Sequence, residues 1–142
     1  MFDNVLVVCV GNICRSPIGE YMLRKKLPGK AVHSAGLAAR NDMPAAEHSV
    51  TVSAEHGLDI LGHKARKLTA EICAQSELIL VMEPEHLKAI GEVFPQARGK
   101  AMLIGKWINK EIIPDPHRQE RPAFEHVYAL LEEATTAWAA RL

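Results

Sequence analysis

Val5-Leu6-Val7-Val8-Cys9-Val10-Gly11-Asn12-Ile13-Cys14-Arg15-Ser16-Pro17 is the stretch that decides the fold. Val5 to Val8 form a continuous apolar run, the pattern of a strand buried on both faces in a parallel sheet. Pro17 suits the first position of a helix, where its missing N–H is no loss. Ser16 before it is the natural N-cap. Between strand and helix the chain must turn sharply. Gly11 accepts a positive φ without penalty, and Asn12 is among the few other residues that tolerate one. Such a loop can turn its backbone N–H groups inward as an anion nest, and the helix adds its positive end. Arg15 can grip two phosphate oxygens at once, which lysine does less well. Val10, Gly11, Asn12, Ile13, Cys14 and Arg15 are therefore the expected phosphate-binding residues. A helix N-terminus and a nearby cation favour a thiolate, so Cys9 is expected to be a nucleophile that needs no dedicated base. The Ser16 hydroxyl could donate to that sulfur and help it depart.

Outward from this stretch, strand and helix alternate. Strands are expected at Asn4–Cys9, Lys30–Ser34, Leu78–Met82 and, more weakly, Ala101–Ile104. Helices are expected at Pro17–Leu27, stopped by Pro28-Gly29, and at Ala45–His56, ended by Gly57. Further helices are expected at Thr69–Gln75, Pro84–Val93 and Ala123–Arg141. In the last, Phe124, Val127, Tyr128, Leu131, Ala134 and Trp138 recur at helical spacing. Ala35–Pro44 reads as a loop. The alternation predicts an α/β fold, a doubly wound parallel sheet with helices on both faces. Ligands in such sheets bind beyond the carboxyl ends of the strands, which is where the Cys9 loop lies.

With 142 residues the chain is expected to be a single domain, 1–142, with a full core. Its formal net charge is zero, which offers no strong draw to nucleic acid or anionic lipid. No apolar segment approaches membrane-spanning length, and the N-terminal run lacks the form of a signal peptide. No membrane insertion and a cytoplasmic location are expected. Three cysteines argue against a disulfide framework. No Cys-x2-Cys pair, His-Glu-x2-His or Walker motif is present, so no metal and no cofactor are expected.

Sulfur attack on a phosphomonoester must expel an alkoxide or phenoxide, and a general acid eases that departure. Asp115 is the candidate. Between Pro114 and Pro116 its backbone is stiffened, which suits a carboxyl held at a fixed distance from the leaving oxygen.

The Cys9–Ser16 loop, Ser34-Ala35-Gly36-Leu37, Gly62-His63-Lys64-Ala65-Arg66, Val81-Met82-Glu83 and Ile113-Pro114-Asp115-Pro116 together resemble the low-molecular-weight protein tyrosine phosphatases. The resemblance covers nearly the whole chain and is strongest to the bacterial branch associated with capsule and exopolysaccharide export. It implies a four-stranded sheet of order 2-1-3-4. It also implies hydrolysis of phosphotyrosine through a phosphocysteine, with Cys9 as nucleophile, Arg15 as phosphate clamp and Asp115 as acid and then base. Asn12, Ser34 and His63 match positions that buttress the loop, with Ser16 beside the sulfur, and Arg66 matches the network behind it. Cys14 matches a residue that can pair with the nucleophile after oxidation; an apolar packing role under the loop is an equal alternative. The implied partner is a phosphotyrosine protein such as a membrane tyrosine autokinase, and a monomer is expected.

Two positions depart from the family. The aromatic residue usual after Asp-Pro is His117 here, and Arg40 stands where an apolar residue is usual. With Leu37 they form the expected substrate rim, more polar than usual, and ring binding is expected to be weaker. An arsenate reductase on the same fold would need two further, closely spaced cysteines, whereas only Cys73 lies downstream. A non-enzymatic alternative is a phosphotyrosine-binding or redox-sensing module using Cys9 and Cys14, but pure binding would need neither the thiol nor the acid, and Cys9, Arg15 and Asp115 occur together. His48 and His56 read as solvated helix residues.

Overall fold

A computed structural model describes residues 2–142. Four parallel strands, β1 (Asn4–Cys9), β2 (Ala31–Gly36), β3 (Leu78–Val81) and β4 (Ala101–Leu103), form one sheet of order β2-β1-β3-β4. Five helices accompany it: α1 (Ser16–Lys26), α2 (Glu47–Glu55), α3 (Ala70–Gln75), α4 (Pro84–Val93) and α5 (Arg121–Ala139). The expected doubly wound α/β fold and strand order are the observed ones.

The two-residue period of a strand explains the three layers. Val5, Val7 and Cys9, with Leu78, Leu80 and Met82, face a core shared with Ile18, Met22, Leu23, Val52, Phe124, Leu131 and Trp138. Leu6 and Val8, with Ile79 and Val81, face the opposite core, with Leu68, Cys73 and Ile90. Helices α1, α2 and α5 thus cover one face, and α3 and α4 the other. Trp138 fixes α5 to the end of β4 by donating its indole N–H to the Ile104 carbonyl at 2.9 Å.

Several boundaries differ from expectation. β2 runs two residues past Ser34, and α5 begins at Arg121 because Pro122 opens it. Thr69 stands just outside α3 as its N-cap, its hydroxyl accepting from the Ile72 N–H. Gly57, with φ 78°, closes α2. Ser16 is not the N-cap of α1: Arg15 holds that position, and the Ser16 side chain turns to Cys9 instead.

Gly36 has a steric task. A Cβ there would sit 2.5 Å from the Val10 carbonyl oxygen, 2.8 Å from the Ala39 Cβ and 2.9 Å from the Asn12 nitrogen. Two of these atoms belong to the backbone of the phosphate loop, which cannot give way locally. Gly36→Ala should therefore cost about 3 kcal/mol by overpacking and lower the melting temperature by roughly 10 °C. Thermal unfolding followed by circular dichroism reads this out; a shift under about 2 °C would mean that the loop yields freely.

Candidate active site

β1 delivers Cys9 to the carboxyl edge of the sheet, and α1 begins immediately after the turn. Five of the turn's carbonyls, those of Cys9, Val10, Asn12, Ile13 and Cys14, are drawn outward. Those of Cys9 and Val10 accept from the N–H groups of Leu37 and Ala38, each at 2.9 Å, and that of Ile13 from Ala46 at 2.8 Å. The Asn12 carbonyl accepts from His63 Nε2 at 2.7 Å and that of Cys14 from the Ser49 hydroxyl at 3.0 Å. Among the described residues, no N–H group from Val10 to Arg15 donates to an acceptor of the protein. With its oxygens held from behind, the loop presents its amides to the cavity, the arrangement of an anion nest.

Asn12 is the pivot of the turn. Its φ of 55° lies in the left-handed region, a conformation costly for most L-residues. Its side chain supplies the anchor. Nδ2 donates to Ser16 Oγ at 2.7 Å and to Ser34 Oγ at 2.9 Å, while Oδ1 accepts from the Arg66 N–H at 3.0 Å. Of the two candidates for the positive φ, Gly11 and Asn12, it is the anchored Asn12 that carries the turn.

The directions of these bonds fix a relay. Ser34 accepts from Asn12 and donates to the buried Glu20 carboxylate. Ser16 accepts from Asn12, and its Oγ lies 3.0 Å from Cys9 Sγ, within reach to donate to a thiolate there. Glu20 is paired with Arg24 at 2.5 Å and lies 3.8 Å from His63 Nδ1. Arg66 Nε donates to the Ser34 carbonyl at 2.9 Å. The residues expected to buttress the loop, Asn12, Ser34, His63 and Arg66, do come together behind it.

Arg15 is only 1% exposed. Its Nη1 donates to Glu83 Oε2 and to the Ile113 carbonyl, both at 2.7 Å. Both N–H bonds of Nη1 are thereby used, so Nε and Nη2 form the fork left for an oxyanion. Glu83 lies 3.9 Å from His86 Nε2. The imidazole is held below its usual range, first by burial and then by the Arg15 charge. Its Nδ1 accepts from the Met82 N–H at 3.3 Å.

Asp115 stands across the cavity, with Oδ2 3.8 Å from Arg15 Nη2. Its Oδ1 accepts from the His117 N–H at 3.0 Å. Oδ2 is therefore the oxygen available for proton transfer. The cavity, about 490 Å³, is lined by Cys9, Val10, Gly11, Ile13, Cys14, Arg15, Ala38, Arg40, Met43, Asp115, His117 and Arg118. Burial pushes the Cys14 thiol up to about 12, with the nearby Cys9 and Asp115 adding to the effect. Cys73 lies in the other core layer, away from this site.

Leu37 is not on the rim. The strand-like pairing of Leu37 and Ala38 with the loop turns Leu37 into the opposite core and Ala38 toward the cavity. Met43 and Arg118 are rim residues that the sequence reading missed. Glu20 and Glu83 were missed as well. Glu20 follows Ser16 by four residues and so shares its helix face. Glu83 lies two residues past the end of β3, a buried strand next to β1, and holds the N-cap position of α4 at the edge where ligands bind.

The family model of the low molecular weight phosphotyrosine protein phosphatases matches residues 4–142. The chain belongs to this family. It is on that footing a protein-tyrosine phosphatase. It is 51% identical to the phosphatase Etp of Escherichia coli K12 over 99% of this chain and 95% of that protein. It is 47% identical to AmsI of Erwinia amylovora, a probable phosphatase of the same kind, over 97% and 96%. The solved structure of Wzb from Vibrio vulnificus in complex with benzylphosphonate superposes with a TM-score of 0.97, at 49% identity and full coverage of both chains.

Proposed function

We propose that the chain, acting as one unit over residues 1–142, hydrolyses protein phosphotyrosine without metal through a phosphocysteine. The phosphoryl group docks in the loop amides and on Nε and Nη2 of Arg15. These donors grip the equatorial oxygens as charge redistributes in the transition state. Cys9 Sγ attacks phosphorus, and the phosphorus–oxygen ester bond breaks. Asp115 Oδ2 gives its proton to the departing phenolic oxygen. In the second step the same carboxylate takes a proton from water as the water's oxygen attacks phosphorus. The sulfur–phosphorus bond breaks, and the Ser16 hydroxyl stabilises the leaving thiolate. Cys14 either packs under the loop or pairs with Cys9 after oxidation; its protonated thiol at neutral pH fits the first role in the resting enzyme.

The observation that carries this reading is the outward bonding of the loop carbonyls, which aims the amides at the space between Cys9, Arg15 and Asp115. Binding of benzylphosphonate, an aryl-methyl phosphonate, by the Vibrio relative supports an aryl phosphate as substrate class. Among the described residues no helix is long and apolar enough to cross a membrane. We place the protein in the cytoplasm as a monomer. Its partner, by family analogy, is a phosphotyrosine-bearing membrane tyrosine kinase of polysaccharide export.

The test is hydrolysis of p-nitrophenyl phosphate and of a phosphotyrosine peptide, with chelator and reductant present. Turnover of both, with rapid-quench capture of a phosphorylated cysteine, is the expected result. No turnover of either would sink the phosphatase mechanism.

His117 on the cavity wall offers a smaller, more polar face than a phenol ring would. His117→Tyr should lower KM for an aryl phosphate roughly two- to tenfold, the worth of one aromatic pair. An unchanged KM would show that this wall does not contact the ring.

A further inference from the structure

The overall formal charge is zero, yet the mouth of the cavity is cationic. Of its lining residues only Asp115 carries a carboxylate, whereas Arg15, Arg40 and Arg118 carry guanidiniums. Arg15 is neutralised from behind by Glu83. Among the described residues, Arg40 and Arg118 have neither an ion-pair partner nor a side-chain hydrogen bond, unlike Arg24 and Arg121, which are paired with glutamates. The two come from different loops, Arg40 from the segment after β2 and Arg118 from the segment before α5.

Arg118 is also held in an unusual backbone state. It has φ 62° at the third position of a tight turn closed by the Gln119 N–H on the Pro116 carbonyl at 2.9 Å. Glycine fills such a position without strain. The turn is fixed by the Asp115 carboxyl on the His117 N–H and by the Gln119 side chain on the Asp115 carbonyl. A guanidinium is thus held at the mouth beside the acid on a strained, well-braced turn, the kind of site where strain accompanies function.

We propose that Arg40 and Arg118 recognise a second oxyanion on the substrate, a carboxylate or phosphate flanking the target phosphotyrosine. This deepens the phosphatase reading and rests on it. The apolar surface of Ile13, Ala38 and Met43 takes the ring, the loop takes the phosphoryl group, and the two arginines select for acidic sequence on either side. Arginine suits both oxyanions because its fork matches carboxylate and phosphate alike.

The experiment compares kcat/KM for three phosphotyrosine peptides: one with neutral neighbours, one with adjacent glutamates, and one with an adjacent second phosphotyrosine. The wild type should favour the charged peptides by roughly five- to twentyfold at low ionic strength, with the preference shrinking in high salt. The glutamate and double-phosphotyrosine arms show which oxyanion is preferred. In a double variant, Arg40→Gln with Arg118→Asn, the ratio of charged to neutral peptide should fall to near one. Asparagine tolerates the left-handed backbone, which guards the fold. A lysine pair, Arg40→Lys with Arg118→Lys, should keep part of the preference. Turnover without preference in the wild type, or preference persisting in the double variant, overturns the proposal and leaves the phosphatase mechanism standing. Failure to hydrolyse any peptide overturns both.

Discussion

Cys9→Ser should abolish turnover of p-nitrophenyl phosphate, by roughly 10⁴-fold or more, while inorganic phosphate still binds. The serine hydroxyl would need a base to become a nucleophile, and none faces position 9. The Ser16 hydroxyl, which accepts from Asn12, is too weak a base to activate a serine at position 9. Arg15 is a cation. Asp115 lies across the cavity, where the leaving oxygen departs. The anion nest does not depend on sulfur, because the loop carbonyls stay bonded to Leu37, Ala38, Ala46, Ser49 and His63. Calorimetry with phosphate should therefore report binding of the same order as in the wild type. Residual turnover within tenfold of the wild type would refute sulfur as the nucleophile.

Asp115→Asn should slow hydrolysis by roughly 10²–10⁴-fold for phosphotyrosine, and the loss should depend on the leaving group. Asparagine keeps the shape of the side chain, and its amide oxygen can still accept from the His117 N–H. What it lacks is a proton at the position of Oδ2. A phenol that leaves easily needs that proton less, so p-nitrophenyl phosphate should lose less in the first step than phosphotyrosine. The second step is then exposed, because no carboxylate takes the proton from water. Pre-steady-state kinetics with p-nitrophenyl phosphate should show a burst of p-nitrophenol followed by slow release of phosphate. An equal loss across a series of aryl phosphates, with no burst, would remove Asp115 from proton transfer.

The sheet was legible because β1 and β3 are buried on both faces, and such strands write themselves as unbroken apolar runs. The loop was legible because its chemistry is local: nucleophile, turn residues, arginine and helix start are consecutive. What escaped was non-local. Glu20 and Glu83 resemble ordinary surface carboxylates until α1 and β3 are packed around Ser34 and Arg15. Gly36 is silent in the sequence because its crowding comes from Val10 and Asn12 on a neighbouring strand's loop. Leu37 was read as part of a rim loop because the chain after Ser34 carries no strand signal, whereas β2 continues to Gly36 and the pairing of Leu37 with the Cys9 carbonyl turns its side chain to the core. Of the two residues that could take the turn's positive φ, Gly11 and Asn12, the structure uses Asn12, whose amide the assembled network anchors.

Ile113 is fully buried; its N–H donates to the Met82 carbonyl at 2.9 Å and its carbonyl accepts from Arg15. The segment that carries Asp115 is therefore moored to the end of β3 and to the phosphate clamp before any ligand arrives. Many enzymes bring a distant acid into place by swinging a lid, and wait microseconds to milliseconds for it. Here the arc open to the carboxyl is the two-residue reach beyond Ile113. Placing the carboxyl beside the phosphate clamp thus asks for no swing of a distant segment, since Ile113 already ties its stretch of chain to both.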